Sequence, residues 1–220
     1  MQRPSTARIT ALLIACATSL LPLSGAERTV RVEVADAKGA KISDAVAWLT
    51  SLDTKVKVVP PVQPVVIVQR NEEFVPYVTA VVVGTKVNFP NRDTVQHHVY
   101  SLSPAKRFEI PLYRGESKEP ILFDQPGIVT LGCNIHDAMS AHIVILETPT
   151  FAISGEDGRA LLPAVPAGRY RLEVWHPRAS ATVTREVAVT PSTEPQVIEI
   201  VLKADRRIRR APEPGGGSYR

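Results

Sequence analysis

A short stretch between residues 131 and 139 carries three side chains that bind soft metals. Cys133 is followed by His136 three positions later and by Met139 three further on. One tight loop therefore presents a thiolate, an imidazole and a thioether, which together favour copper over hard cations. Two histidines and a cysteine in a trigonal set, with a long, weak methionine contact, form the blue copper sites that transfer electrons. The loop thus predicts a copper site that needs a second histidine from elsewhere in the chain.

Two adjacent histidines, His97 and His98, are the candidates for that second histidine. Neighbouring side chains on a strand point to opposite faces, so only one of the two can face the metal. We favour His97, which shares the register of Val99. His98 shares the register of Tyr100 and is interpreted as a surface or inter-domain histidine.

The two remaining histidines fit structural positions better than the metal site. His142 follows the Cys133 loop on a strand that leads away from it, which suggests a solvated or packed side chain. His176, in a Trp-His-Pro sequence, is interpreted as a structural residue or a docking contact. The alternative to a metal site is a buried Cys and Met with unrelated histidines, and the joint arrangement of the four residues disfavours it.

Two separated motifs resemble those of the cupredoxins, the family of plastocyanin and amicyanin. The first is an Asn-Arg-acidic opening at Asn91 with His97 six residues after the asparagine, and the second is the Cys-x-x-His-x-x-Met loop. Including Phe74-Val-Pro and Val83-Gly-Thr-Lys-Val, the pattern is similar to plastocyanin-like proteins of methylamine utilisation. The resemblance covers roughly residues 64–147 and implies a Greek-key β-sandwich.

The resemblance implies one type 1 copper ion per chain and a role for each matched residue. The implied ligands are His97, Cys133, His136 and the axial Met139. Asn91 matches the residue that steadies the cysteine sulfur and pins the two ligand loops together. The chain departs from amicyanin directly after the loop histidine, where it has Asp137 and Ala138. The Asp137 carboxylate would lower the potential if it faced the metal, or it could cap the loop backbone, as Asp often does in turns.

The implied function is one-electron transfer between redox partners, and we expect no enzymatic activity. A copper oxidase or nitrite reductase would need additional histidine-rich copper centres, and the chain has five histidines in all.

Electrons would pass through the edge of His136, where Ile135 and Ala138 form a possible docking patch. The partner could be a dehydrogenase or a c-type cytochrome. A copper carrier or assembly module without a redox cycle remains an alternative, as does zinc, which also accepts four such ligands.

The N-terminus has the layout of a secretory signal peptide. Arg3 and Arg8 precede a run of about 15 apolar residues, and small residues lead up to Ala26, where cleavage is predicted. The apolar run is shorter than the roughly 20 residues that a membrane span requires. We therefore expect a periplasmic protein with no transmembrane segment in its mature form. Lipoprotein processing at Cys16 is the second possibility.

Cleavage after Ala26 removes Cys16 and leaves Cys133 unpaired, which suggests a ligand, a reactive thiol or an intermolecular bridge.

The positive charge of the chain lies at its C-terminus. The full sequence has a net charge of +4, but residues 27–202 hold 18 basic and 20 acidic side chains. Residues 205–220 form a basic tail rich in Pro and Gly, whose composition predicts disorder. Nucleic-acid binding requires a basic face on the folded part. The sequence offers no such face, so we expect no nucleic-acid partner.

Short Val/Ile-rich runs separated by Pro and Gly predict an all-β protein with two sandwiches. Residues 30–50 and the segment after residue 150 resemble two parts of one carboxypeptidase-regulatory-like, Ig-like β-sandwich. We therefore predict a signal peptide (1–26), the first strands of a split sandwich (27–59), an inserted cupredoxin domain (60–148), the rest of the sandwich (149–204) and the tail (205–220). The alternative is an N-terminal extension followed by two domains in sequence.

Overall fold

A computed structural model describes residues 27–117, 119–190 and 192–204 of the protein. The predicted signal peptide, Cys16 and the predicted disordered tail lie outside these residues. Within the described ranges, no helix has the length and apolarity needed to cross a membrane.

The regular structure of the described residues consists of seventeen β-strands. The first nine are β1 (Arg31–Ala35), β2 (Val46–Ser51), β3 (Val65–Val66), β4 (Val68–Arg70), β5 (Glu73–Val75), β6 (Val78–Val82), β7 (Thr85–Asn88), β8 (His97–Ser103) and β9 (Lys106–Tyr113). The other eight are β10 (Ile121–Phe123), β11 (Gly127–Gly132), β12 (Ser140–Leu146), β13 (Phe151–Ile153), β14 (Arg159–Leu161), β15 (Gly168–Trp175), β16 (Val183–Val189) and β17 (Gln196–Glu199).

Strands from the two ends of the described chain form one sandwich, which we call the terminal sandwich. One of its sheets has the order β14-β1-β17 and the other β13-β2-β15-β16. β1 shows why these strands belong together, because it alternates buried Val32 and Val34 with the more exposed Arg31 and Glu33. This period of two places one apolar face on the core. The valines pack there with residues from both ends of the chain, such as Leu49 and Leu172.

The residues between β2 and β13 form a second, central sandwich. Its main sheet has the order β6-β12-β11-β8-β9, and a smaller sheet has the order β10-β7-β3. Phe89, Phe123 and Leu131 are among the fully buried side chains of its core. A two-stranded sheet of β4 and β5 completes this part of the chain.

The second half of β12 is apolar on both faces because it contributes to two cores. Ile143 and Ile145 point into the core of the central sandwich. Val144 and Leu146 join a separate cluster with Val46 and Trp175 of the terminal sandwich. The continuous apolar run of β12 therefore results from burial on both sides, as expected for a strand covered on both faces.

The predicted fold class, all-β with two β-sandwiches, is confirmed. Gly84 occupies the turn between β6 and β7 with a φ of 88°. Such a backbone conformation favours glycine. β1 and β2 pair with strands that follow residue 150, and the division of the chain into domains stays a prediction.

Limited proteolysis tests whether the two ends of the chain form one folding unit. The exposed segment 52–64 connects β2 to the central sandwich and contains Lys55 and Lys57. We expect trypsin to cleave there without separating the fragments, because release of β1 and β2 would expose their buried valine and leucine side chains to water. Size-exclusion chromatography should show the nicked protein at its intact size, and denaturant should separate the pieces. Native release of the N-terminal fragment would contradict the split sandwich.

Candidate metal centre

The candidate ligands lie at one end of the central sandwich because of the strand order. β11 lies between β8 and β12 and is antiparallel to both. The start of β8, the end of β11 and the start of β12 therefore lie side by side at the same end of the sheet. His97 is the first residue of β8, Cys133 directly follows β11, and Met139 directly precedes β12. The topology thus brings together residues that are far apart in the sequence.

Three of the predicted ligands converge in the structure. One ligand atom from each of His97, Cys133 and His136 lies within 4.8 Å of the others. The Nδ1 atoms of the two imidazoles are 3.2 Å apart. The Sγ atom of Cys133 is 3.9 Å from Nδ1 of His136. The nitrogen and sulfur atoms that could bind a metal thus face a common point.

These distances fit a single metal ion. Two nitrogens, each about 2.0 Å from a metal and at near-tetrahedral angles, lie about 3.3 Å apart. A sulfur about 2.3 Å from the metal in a trigonal set lies about 3.8 Å from such a nitrogen. The observed separations of 3.2 and 3.9 Å agree with both values. The donor set of two imidazoles and one thiolate suits copper or zinc and does not suit Mg²⁺ or Ca²⁺.

His97 is the inner histidine, and Asp93 holds it in place. The His97 side chain is fully buried, and its Nε2 lies 2.7 Å from Oδ2 of Asp93. Because a carboxylate only accepts, the imidazole proton is on Nε2, which leaves the Nδ1 lone pair free for a metal. Hydrogen bonds of this kind fix the tautomer and the ring orientation of a metal-binding histidine.

Asp93 is itself held by hydrogen bonds from the backbone. Its carboxylate accepts the N–H groups of Asn71 at 2.5 Å and Glu72 at 2.9 Å. Burial raises the pKa of Asp93, but the backbone N–H of Glu72, the imidazole of His97 and the backbone N–H of Asn71 together more than offset this effect. The net result is a pKa below the usual value for aspartate. Asp93 therefore stays ionised near neutral pH.

His136 is the outer histidine. Its side chain is 24% exposed, and its Nε2 lies 3.6 Å from Oε2 of Glu72. The rings of His136 and His97 meet edge to face, with centroids 5.0 Å apart. Ile135 and Ala138 beside His136 are both exposed, and their role as a docking patch stays a prediction.

The Cys133 loop closes with a tight turn. The backbone N–H of Met139 donates to the carbonyl of His136 at 2.9 Å, and Asp137 and Ala138 occupy the turn between them. Asp137 is exposed. Met139 is fully buried and belongs to the same core cluster as Cys133. Its role as an axial ligand stays a prediction.

Asn91 organises the loop that leads to His97. Its side-chain amide donates to the carbonyls of Val95 at 2.9 Å and Tyr113 at 2.8 Å. Its Oδ1 accepts the backbone N–H of Asp93 at 2.9 Å, and its own backbone N–H donates to the carbonyl of Gly115. These bonds position the Asp93 carboxylate beside Nε2 of His97. The predicted contact of Asn91 with the cysteine sulfur stays a prediction.

A buried glutamine and a tyrosine support the strand that precedes this loop. The Gln69 side chain donates to the Phe89 carbonyl at 2.7 Å and to the Tyr113 hydroxyl, which in turn donates to the same carbonyl. Burial raises the pKa of Tyr113 to about 12. Tyr113 is therefore a neutral hydrogen-bond donor near neutral pH. Because Tyr113 pairs with His97 across β8 and β9, this network also fixes the start of β8.

The other three histidines lie outside the cluster of ligand atoms. Nε2 of His98 is 2.8 Å from the Glu109 carboxylate, and the residue is 5% exposed, so the interpretation of His98 as a surface residue is wrong. His142 packs edge to face against Tyr77 and Trp175. His176 is buried, and its Nδ1 accepts the backbone N–H of Arg178 at 3.1 Å.

The comparisons with known proteins give weak partial likenesses. No protein-family model and no curated protein matches the sequence. An amicyanin variant in the Cu(I) state is 19% identical over 38% of this chain and 82% of its own, with a TM-score of 0.35. A purple cupredoxin from Nitrosopumilus maritimus is 20% identical over 37% and 99%, with a TM-score of 0.34. A copper-containing nitrite reductase from Thermus scotoductus is 24% identical over 45% and 26%, with a TM-score of 0.37. TM-scores this low do not support a conclusion about function. The candidate metal centre is therefore inferred from its own residues alone.

Proposed function

We propose that the protein is an exported type 1 copper protein of the cupredoxin kind, which carries single electrons between redox partners. The observation that carries this proposal is the convergence of donor atoms from His97, Cys133 and His136 within 4.8 Å. A bound copper ion would supply a one-electron couple, because two imidazoles and a thiolate are ligands that copper accepts. Met139 is proposed as the axial fourth ligand.

The protein contributes a fixed ligand geometry. His97 and Cys133 are buried at the ends of paired strands, and Asp93 orients the His97 ring. Hydrogen bonds within both ligand loops limit their movement. A site whose ligands do not move undergoes little reorganisation when its charge changes. This arrangement suits electron transfer, in which no bond in the protein needs to form or break.

The outer histidine is the proposed route for the electron. His136 is 24% exposed, whereas His97, Cys133 and Met139 are buried. The exposed Ile135 next to it offers an apolar contact for a partner. A patch of this kind suits the small, short-lived interfaces of redox complexes. The proposed partner is a periplasmic dehydrogenase or c-type cytochrome.

Copper titration of the mature chain, residues 27–220, tests the proposed function. We expect one Cu(II) per chain and an intense blue band from the copper–thiolate bond, which ascorbate bleaches and mild oxidants restore. The zinc-loaded protein serves as a colourless control for folding. Copper binding without the blue band would favour the copper carrier. A site that takes zinc and rejects copper would contradict the proposal.

Met139→Leu tests the axial ligand. The two side chains have similar volumes, so the substitution should cost less than about 1.5 kcal/mol of stability. We expect copper to remain bound and the reduction potential to rise, because the axial ligand tunes the potential of such sites. Voltammetry of the mature protein measures this shift.

The matched control for Met139→Leu is Ile143→Leu, which changes another fully buried side chain of the same core cluster. The control should leave the potential at the wild-type value. If the potential of Met139→Leu does not differ from that of the wild type, Met139 is not the axial ligand.

A further inference from the structure

The turn between β4 and β5 has an unusual composition for its geometry. β4 and β5 pair up to Arg70 and Glu73, which leaves a two-residue turn of Asn71 and Glu72. Both residues have positive φ, 55° for Asn71 and 60° for Glu72. Two-residue hairpin turns of this kind favour Asn followed by Gly. A long charged side chain therefore occupies a position where the backbone alone would favour glycine.

The same turn is bound to the inner histidine through Asp93. One carboxylate accepts the backbone N–H of Asn71, the backbone N–H of Glu72 and the Nε2 proton of His97. The position of the turn relative to His97 is thus fixed by three hydrogen bonds to a single side chain.

The side chain of Glu72 extends from this fixed turn to the outer histidine. Its Oε2 lies 3.6 Å from Nε2 of His136, and both side chains are 24% exposed. Each of the two histidines therefore has a carboxylate near Nε2, while the Nδ1 atoms face one another. The neighbouring acidic residue, Glu73, is exposed on β5.

We propose that Glu72 is a positioning residue for His136 and that the Asn71-Glu72 turn links the two histidine ligands of the metal centre. The inference depends on the metal centre of the proposed function. Asp93 holds the ring of His97 from the inside of the protein, and Glu72 holds the ring of His136 from the solvent side. The turn connects both carboxylates, so the spacing of the two imidazoles is set by one short segment outside both ligand loops.

Two consequences follow for metal binding. A carboxylate near the distal nitrogen orients the imidazole and makes it a better ligand, and the loss of such partners typically weakens metal binding about 10- to 100-fold. The negative charge of Glu72 also stabilises Cu(II) more than Cu(I), because the interaction scales with the charge of the ion. Glu72 should therefore strengthen binding of divalent metals and lower the reduction potential.

Glu72→Gln tests the proposal, and Glu73→Gln is its matched control. Both variants lose one negative charge at adjacent positions, but only Glu72 lies beside His136. We expect Glu72→Gln to weaken Cu(II) binding about tenfold and to affect Cu(I) less. A tenfold selective loss corresponds to a rise in potential of about 59 mV. Glu73→Gln should leave both quantities near the wild-type values. Equal shifts in the two variants would overturn the proposal, because they would show a general charge effect.

Glu72→Gly separates positioning from a structural role in the turn. Glycine suits the positive φ at this site, so the variant should be at least as stable as the wild type in urea unfolding. If Glu72 positions His136, Glu72→Gly still shows the weaker Cu(II) binding and the higher potential of Glu72→Gln. Wild-type copper binding and potential in Glu72→Gly would contradict the proposal.

Zinc binding makes the proposal testable independently of electron transfer. Zn(II) does not change its oxidation state, and competition with a coloured chelator measures its affinity for the wild type and each variant. The loss for Glu72→Gln should again be about tenfold. A wild-type protein without a blue copper band would contradict the proposed function, and the zinc affinities would still decide the role of Glu72. Equal zinc affinities of the wild type and Glu72→Gln would overturn that role.

Discussion

We expect the replacement of Cys133 with serine to abolish the blue band proposed for the copper-loaded protein while the chain stays folded. Such a colour requires a copper–sulfur bond, and the Cys133 sulfur lies beside the two imidazoles. The sulfur is buried, so the serine hydroxyl must be accommodated in the core at a cost of about 1–3 kcal/mol. The visible spectrum after Cu(II) addition and the circular dichroism spectrum measure the two effects.

Ala141→Ser is the control for the serine hydroxyl in Cys133→Ser. Ala141 is fully buried in the same core cluster, and the substitution adds a hydroxyl without removing a ligand. This control should stay blue, even if it is less stable. A blue Cys133→Ser variant would show that the thiolate is not bound to copper.

A pair of histidine variants has the second large expected effect. His97→Ala should lose the blue band. Removing a residue that only supports a ligand typically weakens metal binding about 10- to 100-fold, and the loss of His97 itself should weaken Cu(II) binding by more than this. His98→Ala should keep the colour, because the His98 imidazole is directed to Glu109. Copper titrations followed by absorption compare the two.

The His97 and His98 variants are close controls for each other. Both side chains are buried, so both substitutions leave a cavity of similar size and should cost about 2–4 kcal/mol of stability. The difference in colour therefore reports the ligand and not the packing. If His98→Ala bleaches and His97→Ala stays blue, the assignment of the two neighbours is reversed.

Local order in the sequence predicted His97, Cys133 and His136 as members of one cluster. The Cys133 loop and the choice of His97 over His98 used only residue type, spacing and the two-residue period of a strand. In the structure His97, Cys133 and His136 converge. The alternation of β1 is likewise visible in the sequence, where Val32 and Val34 alternate with Arg31 and Glu33.

Contacts between distant segments could not be predicted in this way. Glu72 lies in a hairpin turn that precedes both ligand loops, and only the folded chain brings it to His136. No periodic pattern marks such a residue. An Asn-Glu pair between two short alternating runs was the available signal for the turn itself, but it does not indicate where the side chain points.

His98 shows a further limit of the strand period. The alternation correctly placed it on the face opposite to His97, and the expectation was a surface or inter-domain position. The structure buries His98 beside Glu109 and Tyr100. Register determines which face of the sheet a side chain occupies. Its burial depends on which other elements cover that face, and the sequence of one strand does not show this.

The local structure around a bound copper ion tests the central claim most directly. X-ray absorption at the copper edge of the mature chain, loaded with one equivalent of Cu(II), measures the type and distance of each ligand. We expect one short copper–sulfur distance and two imidazole nitrogens, with the sulfur signal absent from Cys133→Ser. A shell of nitrogen and oxygen atoms alone in the wild-type protein would contradict the central claim.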